Sequence, residues 1–225
     1  MPIIIAVYGI LAIAACSMHG SEKLRSRYAF FKLLASLSFV AIALLAGYKS
    51  GFPPMFFYLL PGFWFAVIGD YLLGLAHTDR RYKGKRFFFG ATAFMLAHIS
   101  FYLAFSAIDG LFWADFVFPV LFTGVMFFVL RGENFSLGRM RIPGLMYSFF
   151  VALLVSKGAL MFFRNGVSIR LALILCGGVF FMISDMILLF MYFHVPSQKK
   201  RLGAANLATY FIAMGLLGMS LYPFG

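Results

Sequence analysis

The stretch from Ser168 to Phe193, SIRLALILCGGVFFMISDMILLFMYF, decides the fold. No charged residue stands between Arg170 and Asp185. The stretch is long enough to cross a hydrocarbon core, which takes about 20 apolar residues in a helix. It shows no alternation of apolar and polar residues, and an open sheet would leave unpaired backbone groups in lipid. The stretch therefore predicts a transmembrane α-helix that carries a buried aspartate.

Seven more apolar runs of similar length surround this one, separated by charged residues or by Gly and Pro. The chain has 225 residues, of which 63% are hydrophobic and 12% charged, whereas soluble domains average about 45–50% and about 25%. These values exclude a water-soluble globule. We predict an all-α polytopic membrane bundle of eight transmembrane helices in one domain, 1–225. Its expected spans are 2–18, 29–48, 55–76, 87–107, 112–130, 143–163, 168–193 and 204–223.

The positive charges are distributed unevenly between the two sides of this bundle. The formal net charge is +12, and fourteen Lys and Arg residues follow the first, third, fifth and seventh spans, against three (Lys49, Arg164 and Arg170) on the other side. Basic loops stay in the cytoplasm. We therefore predict cytoplasmic odd-numbered loops and both termini on the non-cytoplasmic side, in a bacterial inner membrane. The clusters fit topology, so no nucleic-acid partner is expected.

Two short segments resemble each other. Gly69-Asp70-Tyr71-Leu72-Leu73 lies in the third span and Ser184-Asp185-Met186-Ile187-Leu188-Leu189 in the seventh. Each occupies the third helix of a four-helix half, so the two halves would run parallel in the membrane. The match is short and suggests only a weak parallel repeat of 1–110 and 111–225.

Ionisable residues well inside a span are candidates for function because each costs about 2.5–3.5 kcal/mol at the bilayer centre. Asp70 and Asp185 are expected roughly 10–14 Å from the cytoplasmic ends of their helices, at one level. We expect further polar side chains to converge near that level: Lys32, His98, Tyr102, Asn206 and Tyr210. Lys157 falls in the outer half of its span and is expected to point outward or to bind a backbone carbonyl.

Structural interpretations of the same residues stay open. The aspartates can form ion pairs with Lys32, Lys32 can extend to the membrane surface, and His98 can be a hydrogen-bonded core residue. The tyrosines and Asn206 can join helices by hydrogen bonds. Sequence motifs for nucleotide binding, serine hydrolysis and zinc proteases are absent, and Cys16 and Cys176 lie in apolar runs without ligand spacing. No metal or other cofactor is expected.

A series of short motifs in order resembles the lysoplasmalogenase-like YhhN family of integral membrane proteins. The motifs extend over almost the whole chain: Phe31-Lys32-Leu33, Ile68-Gly69-Asp70, Gly90 and Ala97 through Tyr102, Pro143 with Tyr147, Ile183-Ser184-Asp185, and Asn206 with Tyr210-Phe211. Two positions depart from the family pattern. Leu33 stands where the family usually has Pro, and Met214 stands where many members have a polar residue.

The resemblance implies a membrane-embedded hydrolase. The family is described as cleaving the vinyl-ether bond of lysoplasmalogens to a fatty aldehyde and a glycerophospho-base, with two aspartates as the suspected catalytic pair. By position these are Asp70 and Asp185. Supporting or substrate-binding positions are then Lys32, His98, Tyr102, Tyr147, Asn206 and Tyr210. The implied partners are a lysophospholipid substrate and the bilayer, with no obligate protein partner.

The chemistry of a vinyl ether suits two carboxyl groups. Protonation of its β-carbon gives an oxocarbenium ion, which water captures. Two carboxyl groups that share a site do not both ionise readily, so one can donate the proton while the other stabilises the cation or activates water. Other interpretations remain: a small proton-coupled carrier, a non-catalytic lipid-binding protein, or an enzyme that acts on another lipid.

Overall fold

The chain folds into eight α-helices in a computed structural model that describes residues 1–21, 23–78, 83–195 and 199–224. Two short 3-10 turns, Trp113–Phe116 and Gly138–Met140, precede the fifth and sixth helices. No strand forms in the described ranges, so the all-α prediction is confirmed. The helices are α1 Pro2–His19, α2 Arg25–Lys49, α3 Pro54–Thr78, α4 Lys83–Asp109, α5 Val117–Val129, α6 Arg141–Arg164, α7 Ile169–Phe193 and α8 Lys199–Met219.

Seven helices in the described part of the chain are long and apolar enough to cross a membrane, which supports a multi-pass membrane protein. The fifth expected span, 112–130, is shorter than predicted. Asp115 accepts a hydrogen bond from the Phe112 amide, 3.1 Å between N and Oδ2, within the 3-10 turn. The α-helix therefore begins only at Val117. The sidedness of the termini stays a prediction, and the loop cations Arg80 and Arg81 lie outside the described residues.

The helices pack in two groups. In the first, α1 contacts α2 and α8, and α2 also contacts α3 and α8. In the second, α6 contacts α4, α5 and α7. Extensive contacts of α3 with α4 and of α7 with α8 join the groups. The candidate site residues lie on α2, α3, α4, α6, α7 and α8, and therefore in both groups.

Glycines allow α3 to approach α4 closely. A Cβ atom added at Gly62 would lie 2.5 Å from the Phe101 ring, and one added at Gly69 would lie 2.9 Å from the Phe94 ring. Both separations are far shorter than a normal carbon contact of about 3.5–4.0 Å. The glycine faces thus let large rings of α4 fill the interior, and Gly69 places the next residue, Asp70, in the packed core.

Candidate functional site

The first buried acidic centre joins α2, α3 and α8 around Asp70. Its Oδ1 lies 2.9 Å from Nζ of Lys32, and its Oδ2 lies 2.6 Å from Oγ of Ser36 and 2.5 Å from the hydroxyl of Tyr210. Asp70 is fully buried and Lys32 nearly so. An ammonium group and two hydroxyl donors all stabilise an ionised carboxylate. The centre is therefore an ion pair of zero net charge, in which both hydroxyl donors bind Oδ2 and the Lys32 ammonium group faces Oδ1.

The second buried acidic centre joins α4, α6 and α7 around Asp185. The Nε2 atom of His98 lies 2.7 Å from Oδ2 of Asp185, and both side chains are buried. The Tyr147 ring meets the His98 ring edge-on, with centroids 6.0 Å apart. Within the described residues, its hydroxyl lies near Asp185 without a hydrogen bond of normal geometry, and Nδ1 of His98 has no partner. This centre thus has polar atoms left to bind another molecule.

Aromatic rings separate the two centres. The Phe181 ring lies 4.1 Å from the His98 ring and 5.5 Å from the Tyr210 ring, measured between centroids. Phe94 packs against both Phe181 and Tyr210. The aspartates therefore have separate sets of partners and do not share a proton, contrary to the expectation of one shared carboxyl site.

Asn206 connects α8 to α7 beside the second centre. Its Nδ2 donates to the Ser184 carbonyl at 2.7 Å and lies 2.9 Å from Oγ of Ser184. The Ser184 hydroxyl donates to the Asn206 carbonyl at 3.0 Å. Because Ser184 precedes Asp185, these bonds fix the position of Asp185 along the α7–α8 contact. Asn206 contacts neither aspartate by hydrogen bond in the described structure.

Tyr102 lies in a third cluster, not in the group predicted from sequence. Its hydroxyl donates to Oδ2 of Asp115 at 3.2 Å. Lys157, fully buried, lies 3.4 Å from the same oxygen and 3.2 Å from Oδ2 of Asp109, and it donates to the Gly110 carbonyl. The predicted alternative that Lys157 binds a backbone carbonyl is therefore correct. The reason that Tyr102 joins this cluster is its place one turn beyond His98, toward the end of α4.

An apolar cavity of about 320 Å³ leads to the second centre. Asp185 and Tyr147 lie in its wall. Phe89 and Met146 also lie in its wall and are exposed on the outer surface of the bundle. Since these residues belong to apolar membrane-spanning helices, the cavity opens toward lipid. Its remaining walls come from α4 (Phe87, Phe88, Ala91, Thr92, Met95), from Met140 just before α6, from the start of α6 (Pro143, Gly144) and from α7 (Leu188, Leu189, Phe193).

Two buried partners of the candidate site residues, Ser36 and Asp115, were not predicted from the sequence. Ser36 follows Lys32 by four residues and so lies on the same helix face, a spacing that could have identified it as a partner of Asp70. Asp115 had a weaker signal, because one aspartate near the edge of an apolar run resembles a loop residue. Within the described ranges, no three His, Cys, Asp or Glu side chains come close enough to hold a metal ion.

Fold and site together define the class of this protein: a multi-pass helical membrane protein whose described residues include separate buried acidic clusters, of which the one around Asp185 borders a lipid-facing cavity. The chain belongs to the YhhN family, whose family model matches residues 3–221. The resemblance seen in the sequence is therefore confirmed. No curated protein and no solved structure matches the chain significantly.

Proposed function

We propose that this protein is a membrane-embedded ether hydrolase that cleaves the vinyl-ether bond of lysoplasmalogen-type lysophospholipids, releasing a fatty aldehyde and a glycerophospho-base. The observation that carries the proposal is the position of Asp185, hydrogen-bonded to His98 and bordering a lipid-facing apolar cavity. Family membership adds support. An alkyl chain can remain in the bilayer or the cavity while its polar end reaches the carboxyl group.

Asp185 and His98 together supply the acid–base steps in this proposal. Asp185 donates the proton held by the pair to the β-carbon of the alkenyl group, which leaves an oxocarbenium ion. The carboxylate stabilises this cation, as in glycoside hydrolysis. Water attacks the carbon bonded to the ether oxygen, and the pair takes up the proton that water loses. The hemiacetal then breaks into aldehyde and alcohol, so the pair ends in its starting state.

Asp70 has a positioning role in this proposal rather than a reacting one. Its carboxylate is already bound by Lys32, Ser36 and Tyr210. Tyr210 in turn packs against Phe181, whose other side meets His98. The Asp70 centre thus supports the ring that packs against His98. Lys32, being ion-paired, is not free to bind a substrate phosphate as its primary partner.

Aldehyde release from a lysoplasmalogen by the purified protein tests the proposal. The parent protein should release aldehyde, and Asp185→Asn should release at least 100-fold less, the effect expected when a general acid is lost. Glu133→Gln is the matched control, since it makes the same chemical change in an exposed loop. Release by Asp185→Asn at the parent rate would contradict the assignment. No release by a folded parent protein would contradict the reaction itself.

A proton-coupled carrier is the second candidate, favoured by the ionisable groups on successive turns of α4. His98 binds Asp185, and Tyr102 binds Asp115 one turn further. Such chains serve as proton relays in transporters. Proteoliposomes with a trapped pH-sensitive dye would distinguish the two functions. Proton uptake that depends on His98, without aldehyde release, would favour the carrier.

We also propose the orientation that the loop charges predict, with odd-numbered loops in the cytoplasm and both termini outside. In that orientation the starts of α4 and α6 lie on the cytoplasmic side, so the cavity opens toward the inner leaflet. Reporter fusions at residues 132 and 225 test it. A cytoplasmic reporter should be active at 132 and inactive at 225.

A further inference from the structure

The cavity beside Asp185 begins where three helices start or end. Phe87 lies in the second turn of α4, Met140 just before α6, and Phe193 at the end of α7, and all three line the cavity. The amide of Ser136 donates to the Phe193 carbonyl at 2.9 Å, and that of Val195 donates to the Asn134 carbonyl at 2.9 Å. The segment before α6 is therefore fixed against the end of α7.

Three exposed cations lie at the same ends of α4 and α6 as this mouth, next in sequence to residues that line it. Lys85 precedes Phe87 by two residues, and Arg139 and Arg141 stand on either side of Met140. In the part of the chain that the structure describes, none of the three forms an ion pair or a hydrogen bond with a side chain. We call Lys85, Arg139 and Arg141 the cationic rim. By contrast, Lys32 and Lys157 in the interior are both paired with aspartates.

The depth of the acid below the rim suits a short polar spacer. Tyr147 stands six positions after Arg141 on α6, and Asp185 stands eight positions before Phe193 on α7. At 1.5 Å per residue these separations are about 9 Å and 12 Å along the helices. Flexible Arg and Lys side chains shorten the distance that a ligand must cover. A glycerol unit with an anionic group at one end and an ether at the other fits this arrangement.

We propose that the cationic rim binds the phosphate of the lysolipid and makes phosphate charge the main headgroup determinant. This inference rests on the proposed function and names the substrate class of the same site. Arg binds phosphate oxygens with paired N–H donors. Because the rim binds the phosphate and not the base, a phosphomonoester, which carries about −1.5 to −2 charges at neutral pH, should bind more tightly than the base-bearing lysolipid that is the proposed substrate. A headgroup without phosphate gains nothing from the rim.

Binding of non-cleavable 1-O-hexadecyl lipids to the full-length protein in nanodiscs tests the rim separately from catalysis. Three ligands are compared: the glycerophosphate, the glycerophosphocholine and the phosphate-free glycerol ether. Affinity should fall in that order. Arg139→Gln combined with Arg141→Gln should weaken glycerophosphate binding at least tenfold, the effect of losing charge-assisted hydrogen bonds. The same variant should bind the glycerol ether as the parent does, and Lys85→Gln should show a smaller loss.

Arg27→Gln is the matched control, because Arg27 is an exposed cation on α2 away from the cavity. It should leave all three affinities unchanged. Equal affinity of the parent for the three ligands would contradict phosphate binding by the cationic rim. An equal loss of affinity for all three ligands in the double variant would also contradict it. Inorganic phosphate binding as tightly as the alkyl glycerophosphate would overturn the assignment to a lipid headgroup. If the ligands bind as expected but no vinyl ether is cleaved, the rim stands and the proposed hydrolysis fails.

Discussion

The imidazole of His98 and the carboxyl group of Asp185 form a buried pair, with 2.7 Å between Nε2 and Oδ2. The pair connects α4 to α7 at the wall of the apolar cavity. A hydrogen bond of this length between two ionisable groups allows one proton to be shared. Nδ1 of His98 has no partner in the described structure, so the imidazole is bound on one side only.

His98→Gln should lower kcat for vinyl-ether cleavage by about 100-fold to 10,000-fold, the range that general acid–base groups contribute. Glutamine can still donate a hydrogen bond to Asp185, but it cannot take up the proton from water. KM should change little, because His98 is not part of the cavity wall. Aldehyde release over a range of substrate concentrations separates the two constants. A raised KM with unchanged kcat would contradict the role in proton transfer.

Lys32 and Asp70 should behave as a coupled pair in stability. Either Lys32→Met or Asp70→Leu alone leaves an uncompensated buried charge and should cost about 3–5 kcal/mol. The double variant should recover most of that loss, since neither charge remains. Thermal unfolding in detergent measures all four proteins of the cycle. Additive losses would show that the ion pair seen at 2.9 Å contributes no coupling.

The helices of this fold could be predicted well, and their contacts could not. An apolar run long enough to cross the bilayer predicts a span without any knowledge of the helices packed against it. The expected span 168–193 therefore agrees closely with α7, which begins at Ile169. The pairing of Asp70 with Lys32 and of Asp185 with His98 depends on which faces of four helices meet. Helical spacing within one segment does not contain that information. Because both aspartates were expected at the same depth in the membrane, the sequence suggested a single site. The position of the Phe181 ring between His98 and Tyr210 could not be predicted.

Charges near the ends of spans were the hardest to interpret. The sequence predicts that the Lys157 side chain points toward the membrane surface or binds a backbone carbonyl. The structure shows that it also pairs with Asp109 and Asp115. Both aspartates flank a turn at Gly110, whose backbone φ is +91°, in the left-handed region that favours glycine. The turn brings them together, and no periodicity within α4 indicates it. The 3-10 turn that follows, Trp113–Phe116, contains Asp115 and delays the start of α5 to Val117.

Lys157→Met should destabilise the protein by about 3–5 kcal/mol, because Asp109 and Asp115 would lose a buried cation. Lys49→Met is the matched control, as Lys49 is exposed at the end of α2. Thermal unfolding in detergent should show a large shift for the first variant and almost none for the second. Equal shifts would mean that the buried cluster contributes no more than a surface lysine.

Gly62→Ala should destabilise the α3–α4 contact by about 1–3 kcal/mol, the usual cost of overpacking a filled core. The new Cβ would lie 2.5 Å from the Phe101 ring, which is itself fully buried and has little room to move. Gly124→Ala is the control, because its added Cβ meets nothing within 4 Å. That variant should gain up to about 1 kcal/mol from helix propensity. Chemical or thermal unfolding of both proteins measures the change in stability. A Gly62→Ala protein as stable as the parent would mean that α4 can move away from α3 at no cost. The close approach of the two helices would then not hold Asp70 in place.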